Sequence, residues 1–299
     1  MADTHYPLAT LIVAFYKQEK FVEDTVAGAL GQTYPNLEII FSDDNSPDGT
    51  FEVLKKAVEG YQGPHKVILN RNEKNMGLVP HVNKLLFELA HGEFIFLNGG
   101  DDVSLPGRVS AQMEYFRADP SVMAVTGSYI TIDKEGKQTG EGRLEKDSLL
   151  RLDDRKYLQS DTFMTGGVAL AIRKKVLDRF GMMGDCQTED SVLRFRAMLL
   201  GPTLRSAQVL LKYRVHGENI SQDIRHFSTR KIAAQYTADL NAVKDSISPE
   251  LYKKLAKKIR HYERIRLLQE KQAASPRLLR PVYELAHKFL RLSHILFSR

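Results

Sequence analysis

The feature that most constrains the fold is the alternation of short apolar runs with helix-like segments in the first third of the chain. Leu8–Phe15 is an almost uninterrupted apolar run, which is typical of a strand buried on both faces of a sheet. Phe21–Leu30 follows with apolar residues at helical spacing. The same criteria predict three more strands and two more helices: Leu37–Phe41, Lys66–Leu69 and Glu93–Leu97 as strands, and Phe51–Val58 and Pro80–Leu89 as helices. This order predicts an α/β fold with a mostly parallel, Rossmann-like sheet flanked by helices.

The pattern is less regular in the rest of the chain. Three segments there have the composition of strands and one that of a helix: Val122–Ile132, Gly166–Ile172 and Leu204–Val215, and Asp190–Leu200. From about Thr229 onward the sequence is helical and basic. We therefore predict an α/β domain at residues 1–225 and a basic, mainly helical C-terminal extension at residues 226–299.

Charge is distributed unevenly along the 299 residues. The net charge is +6, yet residues 230–299 contain 16 Lys or Arg against 6 Asp or Glu, and residues 1–229 contain 27 against 31. A basic tail on a mildly acidic body indicates a polyanionic partner, which is a membrane surface, a nucleic acid or an acidic substrate.

Cysteine content and hydropathy indicate the compartment. The single cysteine, Cys186, excludes an internal disulfide, and no apolar run approaches the roughly 20 residues that cross a bilayer. The first residues, Met1–Pro7, are too polar for a secretory signal. We therefore expect a cytoplasmic protein.

Three pairs of acidic residues stand where predicted strands end or a predicted helix begins: Asp43-Asp44, Asp101-Asp102 and Glu189-Asp190. Open parallel sheets bind ligands beyond the carboxyl ends of their strands, and carboxylates there suit Mg²⁺ or Mn²⁺ bound to phosphate. Gly100, before the second pair, allows the backbone to approach a ligand closely. Taken alone, the first two pairs are equally well explained as a turn or a cap, and Glu189-Asp190 is better explained as a helix cap. Their combination favours a ligand site.

Six blocks, in this order, resemble family 2 glycosyltransferases of the GT-A fold: Thr10–Lys17, Gln32–Ile40 with Asp43–Thr50, Asn75–Leu78 with Asn83, Gly92–Leu97, Thr188–Asp190 and Tyr213–Ser221. The resemblance extends from Leu8 to Ser221. It implies transfer of a sugar from a nucleotide-diphosphate sugar, with inversion and with a divalent cation, Mn²⁺ or Mg²⁺.

The resemblance also implies roles for individual residues. Asp190, with Glu189 beside it, falls at the catalytic base, and Phe15 falls where a ring stacks on the nucleotide base. The other residues implied to bind the nucleotide sugar are Val13, Asp43, Asp44, Asn75, Gly77, Asn83, Gly100 and Asp101. Gly166 and Gly167 are implied at the acceptor site, and Asp101, Asp102 and His216 at the metal.

Two positions depart from the family pattern. Gly99 replaces the first acidic residue of the Asp-x-Asp motif, which leaves Asp101 and Asp102 as alternative metal ligands. In the first strand we assign the usual Tyr-Asn pair to Phe15-Tyr16, which keeps the ring and loses the amide.

The absence of tryptophan bears on the reaction. Processive synthases of the family have a Gln-x-x-Arg-Trp motif and membrane spans, so we expect a hexosyltransferase-type enzyme that adds one sugar. We expect a UDP-sugar donor and a glycan or glycolipid acceptor in cell-surface polysaccharide synthesis. The alternatives are a nucleotidyltransferase and a non-catalytic nucleotide-binding relative with a degraded metal site.

The C-terminal sequence offers a further partner. Leu278, Val282, Leu285, Phe289, Leu292 and Leu296 lie along one helical stripe, with basic residues beside it. Such a helix suits peripheral contact with the inner face of a membrane, docking on its own domain or self-association. It has no motif for nucleic acid, which we do not expect as a partner.

Overall fold

The computed structural model describes residues 6–160, 168–217, 219 and 228–274. The described strands form one sheet: β1 Ala9–Phe15, β2 Leu37–Asp43, β3 Lys66–Arg71, β4 Phe94–Gly99, β5 Val103–Ser104, β6 Ala124–Ile132, β7 Gln138–Gly142, β8 Ser148–Leu150, β9 Val168–Arg173 and β10 Thr203–Arg214. The described α-helices are α1 Val22–Leu30, α2 Thr50–Val58, α3 Leu78–Lys84, α4 Arg108–Ala118, α5 Arg155–Gln159, α6 Lys175–Phe180, α7 Glu189–Leu200, α8 Thr229–Ala242 and α9 Pro249–Ala274. A π-helical turn, Leu85–Leu89, continues α3.

The sheet is parallel in its first half and mixed in its second. Its main order is β3-β2-β1-β4-β9-β6-β10-β5, with β7 paired to β6 and β8 to β10. The predicted parallel arrangement holds for β3, β2, β1 and β4. Strand β9 runs antiparallel to both β4 and β6, whereas β10 is parallel to β6. Antiparallel neighbours need no helical crossover, and α5 is the only helix among the described residues between β6 and β9.

Alternation along β1 divides the core into two layers. Leu11, Val13 and Phe15 pack on one side of the sheet with residues of α1, α2 and α4. Ile12 points to the other side and packs with residues of α3, α6 and α7. Because side chains of a strand point alternately to its two faces, an apolar run with no polar interruption requires helices on both sides.

The described part of the C-terminal extension belongs to the second layer. Tyr236 of α8 and Ile259 of α9 are in the same core cluster as Phe195 of α7. Arg196 and Asp239 form a buried ion pair between α7 and α8, with Nε 2.9 Å from Oδ2. The helices after residue 228 therefore share the core of the sheet. The predicted boundary at 225/226 and the stripe at 278–296 lie outside the described residues.

No helix in the described ranges combines the length and the apolarity needed to cross a bilayer.

Candidate functional site

The carboxyl ends of β1, β2 and β4 meet at one edge of the sheet. In the strand register Phe15 lies opposite Asp43, and Ala14 lies opposite Gly99. The N–H of Asp44 donates a hydrogen bond of 3.0 Å to the carbonyl of Phe15. Two of the three predicted acidic pairs are therefore brought to the same edge by strand pairing.

Asp44 organises the loop that precedes α3. Its Oδ1 accepts hydrogen bonds from Asn72 Nδ2 at 2.8 Å and from the N–H of Met76 at 2.9 Å. Its Oδ2 accepts the N–H of Gly77 at 2.9 Å. Gly77 has φ of +82°, a conformation that favours glycine. Asp44 thus fixes the loop that contains Asn75, and the two predicted blocks do come together.

Asp43 is also bonded within the chain. It is completely buried, and its two carboxylate oxygens accept the hydroxyl and the N–H of Ser46 at 2.5 and 3.0 Å. Arg71 Nε lies 3.6 Å from Oδ2. The side chain holds the β2–α2 loop in place. A direct contact of Asp43 with a nucleotide base stays a prediction.

The ring of Phe15 is in the core, and its stacking on a nucleotide base stays a prediction. It is 1% exposed, lies beside Phe41, and a Cβ at Gly100 would come within 2.3 Å of it. Val13, two residues earlier on the same face, is also completely buried. The aromatic ring presented at this edge is Tyr16, which is 40% exposed. Tyr16 follows directly after the last residue of β1, so its ring has the exposed position at this edge that the buried Phe15 ring lacks.

The carboxylates of Asp101 and Asp102 both lie close to Gly99. A Cβ at Gly99 would be 2.8 Å from Asp101 Oδ1 and 3.6 Å from Asp102 Oδ2. The other oxygen of each carboxylate is occupied: Asp101 Oδ2 is 3.0 Å from Nε2 of His216, and Asp102 Oδ1 accepts the N–H of Arg214 at 2.9 Å. Oδ1 of Asp101 and Oδ2 of Asp102 accept no hydrogen bond from the described residues.

Burial, and then the neighbouring Asp101 carboxylate, raise the pKa of Asp102 well above its usual range. The positive charges of Arg108 and Arg214 oppose this rise in the pKa of Asp102. The Arg108 guanidinium donates to Asn98 Oδ1 at 2.8 Å and to the Leu97 carbonyl at 2.7 Å. Burial lowers the pKa of Arg108 to about 10, and the Asp102 carboxylate opposes this effect. The raised pKa favours the protonated carboxyl of Asp102, and a bound cation would favour the carboxylate instead.

The donor atoms around Gly99 fit a divalent cation. Two carboxylate oxygens of different residues are available, and magnesium sites that also bind phosphate commonly use one or two carboxylates. Carboxylate oxygens are the ligands that suit Mg²⁺ and Mn²⁺, and the imidazole of His216 lies beside them through its contact with Asp101. Its ring lies 4.9 Å from that of Phe21. Across the described ranges no three His, Cys, Asp or Glu side chains are already arranged as a complete metal cluster.

Glu189 and Asp190 form the first turn of α7. This helix packs on β6, β9 and β10, and it ends at Leu200, three residues before β10 begins. Thr203 pairs with Ala124, the first residue of β6, so the end of α7 lies at the amino edge of the sheet. Because α7 packs along these strands and ends at the amino edge, its direction is from the carboxyl edge toward the amino edge.

Asp190 is the more exposed of the two acids, with 48% of its side chain accessible. Its Oδ1 accepts the Thr188 hydroxyl at 3.0 Å, and its Oδ2 lies 2.6 Å from Arg194 Nη2. Burial, and then the Asp190 carboxylate, raise the pKa of Glu189 to about 7. The contacts of Thr188 and Arg194 hold the Asp190 carboxylate in a partly exposed position.

Asn83 has a structural contact. Its side-chain amide donates to the Met183 carbonyl at 2.8 Å and accepts the Met183 N–H at 3.0 Å. It therefore joins α3 to the segment that leads into α7. Gly166 and Gly167, the predicted acceptor residues, lie outside the described residues.

Sequence reasoning missed three buried polar side chains: Arg214, Arg108 and Asn72. Arg214 is 1% exposed, and its Nε donates to the Asp101 carbonyl at 2.9 Å. It lies inside a block that we quoted without assigning it a role. Arg108 begins α4, whose apolar residues at 109, 113 and 116 already have helical spacing.

Comparison with known proteins gives the family. A model of Glycosyl transferase family 2 matches residues 10–181. A putative glycosyltransferase of Bacillus subtilis, EpsE, is 29% identical over 44% of this chain and 46% of its own length. A Campylobacter jejuni GalNAc(5)-diNAcBac-PP-undecaprenol beta-1,3-glucosyltransferase is 33% identical over 50% of this chain and 47% of its own. These matches span about half of each relative.

Solved structures confirm the fold. TarS of S. aureus (residues 1–349), in complex with UDP-GlcNAc, has a TM-score of 0.67 at 14% identity, covering 97% of this chain and 90% of that one. A mannosyltransferase of Pyrobaculum calidifontis, in complex with GDP-Man and Mn²⁺, has a TM-score of 0.60 at 19% identity, covering 99% and 86%. Likeness at these identities shows the fold alone.

Proposed function

Because this chain belongs to glycosyl transferase family 2, we propose that it transfers a single sugar, with inversion, from a nucleotide-diphosphate sugar to a hydroxyl group of a glycan or glycolipid acceptor. The observation that carries the proposal is the pair of open carboxylate oxygens above Gly99, at the edge toward which the first turn of α7 points. Family membership also favours a transferase over the nucleotidyltransferase alternative.

The general base in this proposal is Asp190. An acceptor hydroxyl is a weak nucleophile, so its proton must be taken as its oxygen bonds to the anomeric carbon. The proton goes to the Asp190 carboxylate, which Thr188 and Arg194 hold in an exposed position. The bond from the anomeric carbon to the diphosphate breaks, and its electron pair leaves with the diphosphate. Attack from the opposite face inverts the anomeric centre.

Asp101 and Asp102, with His216 beside them, would hold Mn²⁺ or Mg²⁺. Such a cation, when bound, neutralises charge that develops on a diphosphate leaving group. Burial makes the ionised carboxylate of Asp102 unfavourable when no cation is near, and a bound cation would stabilise that form. The Mn²⁺ in the mannosyltransferase structure supports a metal in this fold.

The donor base lies at the Tyr16 and Asp44 side of the edge in this proposal. Tyr16 offers its exposed ring for stacking, and Met76, 38% exposed, lies on the loop that Asp44 holds. In this proposal three buried side chains stabilise this edge of the sheet from the core: Val13, Phe15 and Asp43. A uridine nucleotide is the proposed donor, as in the UDP-GlcNAc complex of TarS.

A lipid-linked acceptor is proposed from the relatives. The Campylobacter enzyme is named for an undecaprenol-diphosphate glycan, and WfaP of Escherichia coli, 29% identical over 42% of this chain, is named for GlcNAc-diphosphoundecaprenol. We place the reaction at the inner face of a membrane, in synthesis of a cell-surface polysaccharide. The acceptor is expected near Gly166 and Gly167.

The variant Asp190→Asn tests the proposal. We expect it to abolish sugar transfer from the correct UDP-sugar while the donor dissociation constant, measured by titration calorimetry, stays within about twofold. Asp185→Asn, at an exposed acidic residue just before α7, is the control. Retained transfer in Asp190→Asn would refute the assigned base. If the wild type binds the donor but neither transfers its sugar to an acceptor nor hydrolyses it, the non-catalytic alternative would be favoured.

A further inference from the structure

The α6–α7 segment, which we define as residues 181–188, leads directly into the first turn of α7, where Asp190 lies. Two of its residues have positive φ, Gly181 at +68° and Gln187 at +64°, so the backbone follows an uncommon course. At the end of the segment the Thr188 hydroxyl donates to Asp190 Oδ1 at 3.0 Å. The position of the Asp190 carboxylate therefore depends on where this segment is held.

Helix α8, in the C-terminal extension, holds the segment through a network of side-chain hydrogen bonds. Gln235 Oε1 accepts the N–H of Gly184 at 2.8 Å, and Gln235 Nε2 donates to Asp239 Oδ1 at 2.9 Å. The other oxygen of this carboxylate, Asp239 Oδ2, accepts Nε of Arg196 at 2.9 Å. Arg196 Nη1 in turn donates to the Gly181 carbonyl at 2.7 Å. The network therefore runs from residue 184 through α8 and α7 and back to residue 181.

The ion pair at the centre of the network is buried. The side chains of Arg196 and Asp239 are 1% and 4% exposed. Burial raises the pKa of the Asp239 carboxyl, and the contact with Arg196 opposes this rise. Because a buried charge without its partner is unfavourable and hydrogen bonds are directional, these groups keep one arrangement. The apolar contacts of Leu240 in the same core are non-directional and do not fix the segment in this way.

A surface contact joins the same two elements. Lys231 of α8 pairs with Asp185 of the segment, and both residues are exposed. Exposed ion pairs contribute little to stability. This pair therefore offers a control that connects the same helix to the same segment outside the buried network.

From this geometry we infer that Gln235 and Asp239 are positioning residues for the catalytic base. The inference rests on the proposed function, because it concerns the placement of Asp190. Both residues act through the α6–α7 segment. A general base must lie within hydrogen-bond reach of the hydroxyl that it deprotonates, and a displacement of about 1 Å can cost about 100-fold in rate. Helix α8 therefore belongs to the catalytic unit as well as to the core.

The test compares four variants of the full chain. Gln235→Leu removes both hydrogen bonds of Gln235 at a similar side-chain size, and Asp239→Asn removes the charge that faces Arg196. Lys231→Gln removes the surface ion pair, and Leu240→Ala lowers stability from the same helix without removing a polar contact. For each variant kcat, the KM for the donor and the thermal midpoint are measured, with the kinetics at a temperature at which all variants are folded.

We expect kcat to fall about 30-fold in Gln235→Leu and in Asp239→Asn, while the donor KM stays within about twofold. Lys231→Gln and Leu240→Ala should keep kcat within about twofold, because their folded forms retain the network. A loss of kcat in Leu240→Ala as large as that in Gln235→Leu would assign Gln235 a merely structural role and overturn the inference. A loss confined to the donor KM would also overturn it.

Amide exchange gives a second measurement that needs no activity. The N–H of Gly184 should exchange at least about tenfold faster in Gln235→Leu than in the wild type, because its acceptor is removed. The N–H of Met183, which donates to Asn83, should be unchanged. Unchanged exchange at Gly184 would overturn the inference. A wild type that binds the donor and transfers no sugar would refute the proposed function and this inference with it, whereas sugar transfer with wild-type kcat in Gln235→Leu and Asp239→Asn would overturn the inference alone.

Discussion

The backbone N–H of Arg214 donates a 2.9 Å hydrogen bond to Asp102 Oδ1, which joins residues 112 positions apart in the chain. The same arginine reaches the Asp101 carbonyl with Nε and the Asp133 carbonyl with Nη1 at 3.1 Å. Its guanidinium carbon lies 4.8 Å from the centre of the Phe21 ring. Through these contacts, the end of β10 holds the Asp101-Asp102 turn in position.

Arg214→Met should destabilise the protein by about 3 kcal/mol, because it leaves buried carbonyl oxygens without donors. Denaturant unfolding measures this change. Asp24→Asn removes the ion pair of Arg214 with an exposed carboxylate and should cost less than about 1 kcal/mol. Equal costs would show that the surface ion pair, and not the buried hydrogen bonds, carries the contribution of Arg214.

Substitutions at two neighbouring residues should affect different quantities: protein stability at Phe15 and donor affinity at Tyr16. Tyr16→Ala removes an exposed ring and should raise the donor dissociation constant about tenfold, as expected for a lost stacking contact, with little change in melting temperature. Phe15→Leu should lower stability by about 1–2 kcal/mol and leave donor binding nearly unchanged. Calorimetric titration with the donor and thermal unfolding give the two quantities. The reverse pattern would support the original assignment of Phe15.

The pKa of Glu189 predicts a pH dependence of stability. Its pKa in the folded state is raised from the model-compound value of 4.5 to about 7, mainly by burial. The folded state therefore holds this proton more tightly than the unfolded state, and the free energy of unfolding falls as pH rises from about 4.5 to about 7. Glu189→Gln should remove about 3 kcal/mol of this decline.

Denaturant unfolding at several pH values tests this, with Glu145→Gln at an exposed position as the control. A wild type and a Glu189→Gln variant with parallel pH profiles would contradict the assignment of the raised pKa to Glu189.

The elements that local patterns determine were predicted well. The apolar run of β1 and the helical spacing of α1, α2 and α7 each appear within a few residues of the expected bounds. Strands β5, β7 and β8 have two to five residues, which is too short for a periodic signal, and they were missed. Helix α4 was not predicted, although its apolar residues have helical spacing.

The site was predictable only where it follows from strand ends. Asp44 and Asp101-Asp102 directly follow buried strands, so their meeting at one edge could be expected. The burial of Arg108 and Arg214 could not, since arginine is usually exposed and their partners are fixed by tertiary contacts. The burial of Phe15 and the exposure of Tyr16 depend on which face of β1 meets α1, and local sequence does not determine that face.

The central claim is that Asp101 and Asp102 hold a divalent cation against the diphosphate of the donor. Its most direct test is the donor dissociation constant measured with Mn²⁺ and with EDTA, for the wild type, Asp102→Asn and Asp190→Asn. We predict that Mn²⁺ tightens donor binding about tenfold or more in the wild type and in Asp190→Asn, and that this difference disappears in Asp102→Asn. A full Mn²⁺ effect in Asp102→Asn, or none in the wild type, would contradict the account.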